Sequence, residues 1–373
     1  MSVDEPETLR LAPASPIAFA ADAAAARLRE WLLTGPAQIR GSDAEAGGVA
    51  GVLDVDGKPR YVYAEITGYY LGWLADITAV APLARIRERA RLAVAWSQRA
   101  LGREGQLPQT RIYLDATEPD WRNDAVFFFD LAMLLHGIEA ATAAGIVAEP
   151  ATLRGVLHAH LLTFVSAGQL RCAIQVRGTA ALPPRWSTGG GAFLVKASSR
   201  VALGARHPAF PDALALACAR DIDQWVAGAG DIDLDMLHPT LYFAEGMLLA
   251  RPDRADAVAK LLQRSLVLTQ ADGSLPETAD GTPRTRNDIL AQALRVGVLL
   301  RELETSGAPS VEALDRLAST LLERIGERSF LTFNTEAPAQ ANVWCTMFAE
   351  QALRWHAGMR LGHARRPSAA ALV

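Results

Sequence analysis

The stretch YAEITGYYLGWL, residues 63–74, places its polar and aromatic side chains ahead of its apolar ones. A carboxylate, a threonine, a glycine and two tyrosines come first, and only then does an apolar run begin. The same order recurs at five further predicted helix starts, which read WRNDAVFFFD, RWSTGGGAF, MLHPTLYFAE, TRNDILAQ and ANVWCTMF. This repeated kind of helix start is the feature from which the fold is predicted.

Hydrophobic periodicity predicts about twelve helices, joined by connections that are alternately short and long. The long connections are rich in Gly, Pro, Asp and aromatic residues, and they precede the even-numbered helices. An alternation of this kind puts all the long loops on one face of the molecule. The predicted helices lie near residues 17–33, 66–80, 82–101, 124–145, 150–167, 189–206, 209–227, 239–250, 253–269, 287–305, 310–326 and 342–358.

Six helix pairs with these connections predict an all-α (α/α)6 toroid with small β-hairpins in the long loops of one face. The even-numbered helices are predicted to be the inner ones, because the long loops lead into their N-termini. Their polar starts then converge at one end of the central cavity, and their apolar remainders pack the closed end. The clearest hairpin is predicted in GVLDVDGKPRYVYA, residues 51–64, around an Asp-Gly turn.

The toroid is predicted to be a single domain, residues 17–358, between a flexible N-terminus, residues 1–16, and a flexible C-terminal tail, residues 359–373. Half of the 373 residues are hydrophobic and 21% are charged, which suits a large core and not a disordered chain. A formal net charge of −4 argues against a dedicated nucleic-acid binder, which usually carries a basic face.

Targeting and cysteine patterns predict a cytoplasmic protein. The N-terminus lacks the basic start and continuous apolar core of a signal peptide, and no uncharged run reaches the ~18 residues of a membrane span. The three cysteines, Cys172, Cys218 and Cys345, are far apart and form no C-x-x-C. This spacing predicts neither a disulfide framework nor a structural zinc site.

Three carboxylates at predicted inner-helix starts are candidates for acid–base chemistry. Glu65 begins the first inner helix, and Asp124 and Asp288 each follow an asparagine at the start of another. Each could instead be an ordinary helix cap that satisfies free backbone N–H groups. Two carboxylates that face one cavity are what sugar hydrolysis needs, one to protonate the leaving oxygen and one to activate water.

His238 and Tyr242 lie four residues apart on one helix face, and Arg295 shares a face with Asp288. His238 is a further catalytic candidate, Tyr242 would orient the substrate, and Arg295 would bind a carboxylate or hydroxyl of the sugar. Without H-E-x-x-H or a second nearby histidine, the sequence predicts no metal and requires no cofactor.

Lys196 and Arg200 are charges in the middle of the third inner helix, and Asp130 and Glu245 lie at similar depth on its neighbours. We predict buried ion pairs that join these helices. The alternative is an anion site for an acidic sugar.

Aromatic residues lie at or next to the predicted inner-helix starts, where they either stack on sugar rings or belong to the core. Their position near Gly- and Pro-rich loops makes both roles possible. The candidates for sugar binding are Tyr69, Trp121, Trp186 and Trp344, together with Tyr242.

The stretch YAEITGYYLGWL resembles the YPE-x-TGY helix starts of α/α-toroid proteins encoded in bacterial capsule and exopolysaccharide gene clusters. FFFDLAMLLHGI, HPTLYFAEGMLL, NDILAQALRV and ANVWCTMFAEQAL resemble the corresponding inner helices, over about residues 45–355. More distantly, the architecture is similar to unsaturated glucuronyl hydrolases and N-acylglucosamine 2-epimerases. The resemblance implies a carbohydrate ligand. Ala64 replaces the usual proline, and FFFDLAM replaces an FDTGQ-like polar stretch.

These patterns predict a carbohydrate-active enzyme, a glycoside hydrolase or lyase that acts on an oligosaccharide or polysaccharide. A sugar epimerase is an alternative, although it would use a base on each face of the ring, typically histidines. A non-catalytic sugar-binding or scaffold protein of polysaccharide synthesis is another. The acidic segment DIDLD, residues 231–235, has the wrong order of acids for a terpene cyclase. The oligomeric state is left open.

Overall fold

The computed structural model describes residues 15–102, 105–114, 120–178, 181–204, 210–229, 232, 235–280, 284–335, 340–362 and 366–373. Residues 1–14, in the expected flexible N-terminus, and most of the acidic segment 231–235 lie outside the described residues. In the described part of the chain, no helix has the length and apolar character that a membrane span requires.

Helices dominate the described residues. They are α1 (Pro16–Thr34), α2 (Ala64–Asp76), α3 (Leu83–Leu101), α4 (Phe128–Ala143), α5 (Ala151–Leu162), α6 (Trp186–Gly189), α7 (Leu194–Gly204), α8 (Asp212–Ala227), α9 (Leu237–Ala250), α10 (Ala255–Leu266), α11 (Asn287–Glu302), α12 (Val311–Ile325) and α13 (Val343–Leu361). The short strands are β1 (Tyr61–Tyr63), β2 (Arg111–Tyr113), β3 (Ala125–Phe127), β4 (Val165–Ser166), β5 (Gln169–Leu170) and β6 (Ala173–Gln175).

The (α/α)6 toroid is confirmed. The inner helices α2, α4, α7, α9, α11 and α13 contact one another in that order, and α13 closes the ring on α2. Almost every residue of α2 and α11 is buried, whereas the outer helices α10 and α12 bury one apolar face. An inner helix packs against its two ring neighbours, against an outer helix and against the side chains that fill the ring. Its sequence is therefore apolar around most of its circumference.

Two inner helices begin later than the sequence predicts. The second was expected from residue 124, but Trp121–Asp124 forms a 3-10 turn and β3 intervenes before α4 begins at Phe128. The third was expected from residue 189. Gly190 and Gly191, with φ of 81° and 157°, separate the short α6 from α7 instead. Glycine adopts these angles without the steric cost that other residues incur.

Small β elements lie in the long loops, as predicted, but most of them join different loops. The Asp-Gly turn is present, with the side chain of Asp54 accepting from the backbone N–H groups of Asp56 and Lys58. The predicted hairpin is present, since Leu53 bridges Pro59 and Ala50 bridges Val62. Strand β1 also pairs with β2, and Tyr63 lies opposite Arg111 in the register. Strand β3 pairs with β6 in the same way, while β4 and β5 form a local hairpin.

The C-terminal segment, expected to be a flexible tail, is docked into the ring. Helix α13 extends to Leu361, and residues 366–373 fold back against the inner helices. Arg200 donates hydrogen bonds to the carbonyl oxygens of Ala369, Ala370 and Leu372. These bonds explain why the segment is ordered: it satisfies a guanidinium that would otherwise be buried without acceptors.

A layer of buried charges fills the ring between this segment and the cavity. The two carboxylate oxygens of Glu245 accept from Lys196 at 2.7 Å and from Arg295 at 2.6 Å. Both cations also donate to the backbone oxygen of Val373. The predicted pairing of Lys196 with Glu245 is therefore confirmed. Asp130, the other predicted partner, bonds to hydroxyl groups near the cavity instead.

We expect Glu245→Gln to destabilise the protein by about 3–5 kcal/mol, because it leaves two buried cations without their carboxylate. Chemical denaturation measures the change in the free energy of unfolding. The matched control is Glu323→Gln, an exposed glutamate, which we expect to cost no more than about 0.5 kcal/mol. A loss as small as the control's would mean that the charge layer does not stabilise the ring.

Candidate functional site

A cavity of about 670 Å³ opens at the end of the ring where the inner helices begin. Its volume lies within the range of small-molecule sites, about 300–1,000 Å³. Glu65, Asp130 and His238, each from the first turn of an inner helix, line it. The prediction that polar helix starts converge on one cavity agrees with this placement.

One wall carries a group that we call the acid cluster: Tyr63, Glu65, Thr110, Arg111 and Asp130. The Tyr63 hydroxyl donates to Oδ1 of Asp130 at 3.0 Å, and the Thr110 hydroxyl donates to Oδ2 at 2.8 Å. The Tyr63 hydroxyl also interacts with the Glu65 carboxylate. The two carboxyl groups are thus linked through one phenol, and both are at least nine-tenths buried.

Burial gives the acid cluster unusual proton affinities. It raises the pKa of Asp130 to about 8, and the neighbouring Glu65 charge adds to this effect. Burial also raises the pKa of Glu65, although hydrogen bonds from Tyr63 and Tyr69 and the charge of Arg111 oppose it. Two close carboxyl groups cannot both ionise readily. At neutral pH the pair therefore holds one proton, favoured on Asp130.

Arg111 lies beside this pair. Its guanidinium carbon is 4.7 Å from the ring centre of Tyr61 and 4.3 Å from that of Tyr63, and its Nε is buried without a hydrogen-bond partner. The β1–β2 register places it there, since Arg111 is the partner of Tyr63.

A second wall carries the group that we call the histidine cluster: His238, Arg286, Asp288, Gln292 and Trp344. Nδ1 of His238 faces Oε1 of Gln292 at 2.7 Å and Oδ2 of Asp288 at 3.5 Å. Both are acceptors, so Nδ1 carries the proton and Nε2 presents a lone pair. Asp288 also accepts from Arg286 at 2.6 and 3.1 Å and from the Trp344 indole at 3.1 Å.

The protonation states in this cluster are fixed by its charges. Burial and the nearby Arg286 lower the pKa of His238 to about 3, so the imidazole is neutral at neutral pH. Although burial opposes ionisation of Asp288, the charge of Arg286 and the hydrogen bonds from Arg286 and Trp344 hold its pKa at about 2. Asp288 is fully buried. It is therefore a permanent anion that orients its neighbours, and it does not itself face the cavity.

The two clusters lie on opposite walls. The acid cluster is centred on α2 and α4, and the histidine cluster on α9 and α11, which stand across the ring in the observed helix order. Between them the aromatic rings of Trp186, Tyr242 and Trp344 line the cavity. A ligand bound there would lie between the carboxyl groups on one side and the imidazole on the other.

At the bottom of the cavity a pair of hydrogen-bonded tyrosines lies above a lysine. The hydroxyl groups of Tyr69 and Tyr242 are 3.1 Å apart, and the Lys196 ammonium lies 4.8 and 4.5 Å from their ring centres. Tyr69 is 1% exposed, so it supports the floor and does not line the cavity, unlike Tyr242.

Asp288 and Tyr69 lie behind the lining of the cavity, and three further residues predicted from the sequence lie away from it. Asp124 and Trp121 belong to the 3-10 turn before β3, and Trp121 packs edge-on against Phe127. Arg295 is fully buried between Glu245 and the ring of Phe348, so it cannot reach a ligand. In the described ranges no three His, Cys, Asp or Glu side chains are grouped as metal ligands.

The sequence prediction missed Asp130, Arg111 and Tyr63 as site residues. Asp130 did carry a signal, because it is the acidic residue in the first turn of α4. Arg111 carried none, because its position depends on pairing between strands that are separated by the whole of α2 and α3.

We expect Asp130→Asn to raise thermal stability at neutral pH. A carboxyl group whose folded pKa is raised contributes most below its unfolded pKa, near 3.9, and this contribution is lost as pH rises through the folded value of about 8. Thermal denaturation between pH 4 and 8 should therefore show nearly equal midpoints at the acid end. Towards pH 8 the unfolding midpoint of the variant should be higher than that of the wild type by about 2 °C or more. A difference that does not change with pH would contradict the raised pKa.

No protein-family model matches this sequence, and no curated protein matches it. Solved structures do resemble it. The cellobiose 2-epimerase from Spirochaeta thermophila DSM 6192 superposes with a TM-score of 0.67 at 14% identity, over 95% of this chain and 100% of that one. A D-mannose isomerase gives 0.62 at 16% identity, over 92% and 100%. An unsaturated glucuronyl hydrolase specific for heparin gives 0.60 at 11% identity, over 92% and 98%. At these identities the likeness is one of fold.

Proposed function

We propose that this protein is a carbohydrate-active enzyme, a glycoside hydrolase acting on an oligosaccharide or polysaccharide. The observation that carries the proposal is the buried pair of Glu65 and Asp130, which shares one proton at the wall of an open cavity. The described structural neighbours, a cellobiose epimerase, a mannose isomerase and a glucuronyl hydrolase, support a sugar as the ligand.

The pair supplies what hydrolysis of a glycosidic bond requires. One carboxyl group must be protonated and the other ionised in the same state of the enzyme. Asp130 holds the proton and gives it to the leaving oxygen as the carbon–oxygen bond breaks. Glu65, ionised, either attacks the sugar carbon or removes a proton from the attacking water. In both cases the hydroxyl group of water is added to the sugar carbon, a proton is added to the leaving oxygen, and both carboxyl groups return to their starting protonation states. A lyase would use the same pair to remove a carbon-bound proton.

The opposite wall binds and orients the sugar. Neutral His238 presents Nε2 as an acceptor for a sugar hydroxyl, and Asp288 fixes its tautomer. Trp186 and Trp344 offer apolar faces near it, and Trp344 is itself held by its bond to Asp288. Aromatic faces and a few placed polar groups are the usual composition of a ligand pocket.

A second candidate is a sugar epimerase. The specific observation in its favour is that proton-transfer groups stand on opposite walls, the carboxyl pair on one and His238 on the other. An epimerase needs a base on each face of the sugar ring. Among the described residues that line the cavity, His238 is the only histidine, so the second base would be a carboxylate.

Turnover and binding on a glycan panel test the proposal. We expect Glu65→Gln and Asp130→Asn each to lower turnover by about 10²–10⁴-fold, with binding retained, because each removes a proton-transfer group. Asp124→Asn is the matched control on the same side of the ring, and it should change turnover less than about twofold because surface-type substitutions away from the site are mild.

The products separate the candidate activities. New reducing ends identify a hydrolase, an unsaturated sugar identifies a lyase, and deuterium uptake from D₂O without cleavage identifies an epimerase. Binding without turnover in the wild type and both variants would favour the non-catalytic sugar-binding protein. No binding of any glycan would contradict the carbohydrate assignment itself.

The pH dependence of turnover provides an independent test. Because Asp130 acts as the acid and its pKa is about 8, activity should fall as pH rises above that value and the proton is lost. We expect residual activity of Asp130→Asn to lack this alkaline decline. An unchanged decline in the variant would assign the acid role to another group.

A further inference from the structure

We infer that Arg111 is the anion-binding residue of the cavity, and that the natural ligand is a saccharide that carries a carboxylate. This inference rests on the proposed function and adds the chemical class of the substrate. It is carried by the guanidinium itself, which lines the cavity and whose Nε is buried without a hydrogen-bond partner.

The position of Arg111 is fixed, while its Nε is left without an acceptor. Two tyrosine rings, Tyr61 and Tyr63, lie against the guanidinium, and the β1–β2 ladder holds its backbone. Its Nε is buried and unbonded, and among the described residues it forms no ion pair within 4.0 Å. Leaving a buried donor unsatisfied is costly. A ligand acceptor in the cavity removes that cost.

Two of the other arginines that line the cavity already form ion pairs with acidic residues. Arg286 is bound by Asp288 and Glu277, and Arg122 is bound by Asp120 at 3.0 Å. Five arginines and three acidic residues line the cavity. The arginines are Arg60, Arg111, Arg122, Arg185 and Arg286, and the acids are Glu65, Asp130 and Glu277.

The adjacent carboxyl pair forms no ion pair with Arg111 within 4.0 Å, although the charge of Arg111 lowers the pKa of both groups. Both oxygens of Asp130 already accept from hydroxyl groups, Tyr63 at 3.0 Å and Thr110 at 2.8 Å. Asp130 is also the group that holds the shared proton at neutral pH, so it is uncharged there. Glu65 alone remains as a nearby anion, and it interacts with Tyr63 and Tyr69 as well.

The shape of the site favours a carboxylate. A guanidinium carries two parallel N–H groups at its edge, and these match the two oxygens of a planar carboxylate. Because Arg111 adjoins Glu65 and Asp130, the acidic group would lie on the sugar unit at which the reaction occurs. A uronic acid has this arrangement.

Calorimetric binding of matched saccharides tests the inference. The probes are uronic-acid oligosaccharides, the same oligosaccharides after reduction of each carboxylate to a primary alcohol, and sulfated neutral oligosaccharides. We expect the wild type to bind the uronic acid form about 10–100-fold more tightly than the reduced form, the effect of one charge-assisted hydrogen-bonded pair. Arg111→Gln should abolish that preference, and Arg111→Lys should restore part of it.

The matched control is Arg85→Gln, which removes the same charge from an exposed outer helix, where Arg85 pairs with Glu30. It should keep the preference, and thermal denaturation shows that each variant is folded. Equal binding of the uronic acid and reduced forms, a preference that survives Arg111→Gln, or failure to bind any acidic saccharide would each overturn the inference. Tighter binding of the sulfated probe would overturn the assignment to a carboxylate.

Turnover is recorded separately, so that the two proposals fail in different ways. Carboxylate-dependent binding that is lost in Arg111→Gln, without any cleavage, supports the subsite and rejects the hydrolase. Cleavage of neutral and acidic substrates at equal rates supports the hydrolase and rejects the subsite.

Discussion

The geometry of the cavity depends on one buried carboxylate beneath it. Glu245 on α9 pairs with Lys196 on α7 and Arg295 on α11, so three consecutive helices of the ring are joined at one depth. A buried charge that loses its partner is strongly destabilising, and helix shifts that separate the pairs are therefore disfavoured. Lys196 in turn lies against the ring of Tyr242, which lines the cavity. The position of Tyr242 in the cavity therefore depends on the ion pair between Lys196 and Glu245 beneath it.

Two aspartates in the first turns of inner helices show how the surroundings decide what a residue can do. Asp288 is surrounded by Arg286, His238 and an indole N–H, and it stays ionised. Asp130 receives only hydroxyl donors and lies beside another carboxyl group, so its pKa rises. The same side chain is thus a fixed anion on one wall and a carboxyl group of raised pKa on the other. Desolvation acts on both, and the neighbouring charges set the direction of the net shift.

Sequence reasoning succeeded where a property is local and failed where it is not. The period of apolar residues and the alternation of loop lengths are enough to predict the ring, and first-turn residues such as Glu65 and His238 are correctly brought to its cavity. Arg295 was misjudged because seven residues along a helix is about 10 Å, which places it well below the first turn. Asp124 was misjudged because residues 125–127 form a strand, and that strand exists only through its pairing with β6. Arg111 depends on a register of the same non-local kind.

The acid cluster and the charge layer have opposite effects on the stability of the fold. At neutral pH the unfolded chain releases the proton that Asp130 retains when folded, so this aspartate favours unfolding. The ion pairs of Glu245 and the hydrogen bonds of Arg200 to the C-terminal segment stabilise the folded state, and they lie at the closed end of the ring. A pair of carboxyl groups can be kept in an unfavourable, desolvated place only if the rest of the ring is stable enough to offset its cost. The two layers are separated along the helix axes, so the destabilising carboxyl pair lies at one end of the ring and the stabilising ion pairs lie at the other.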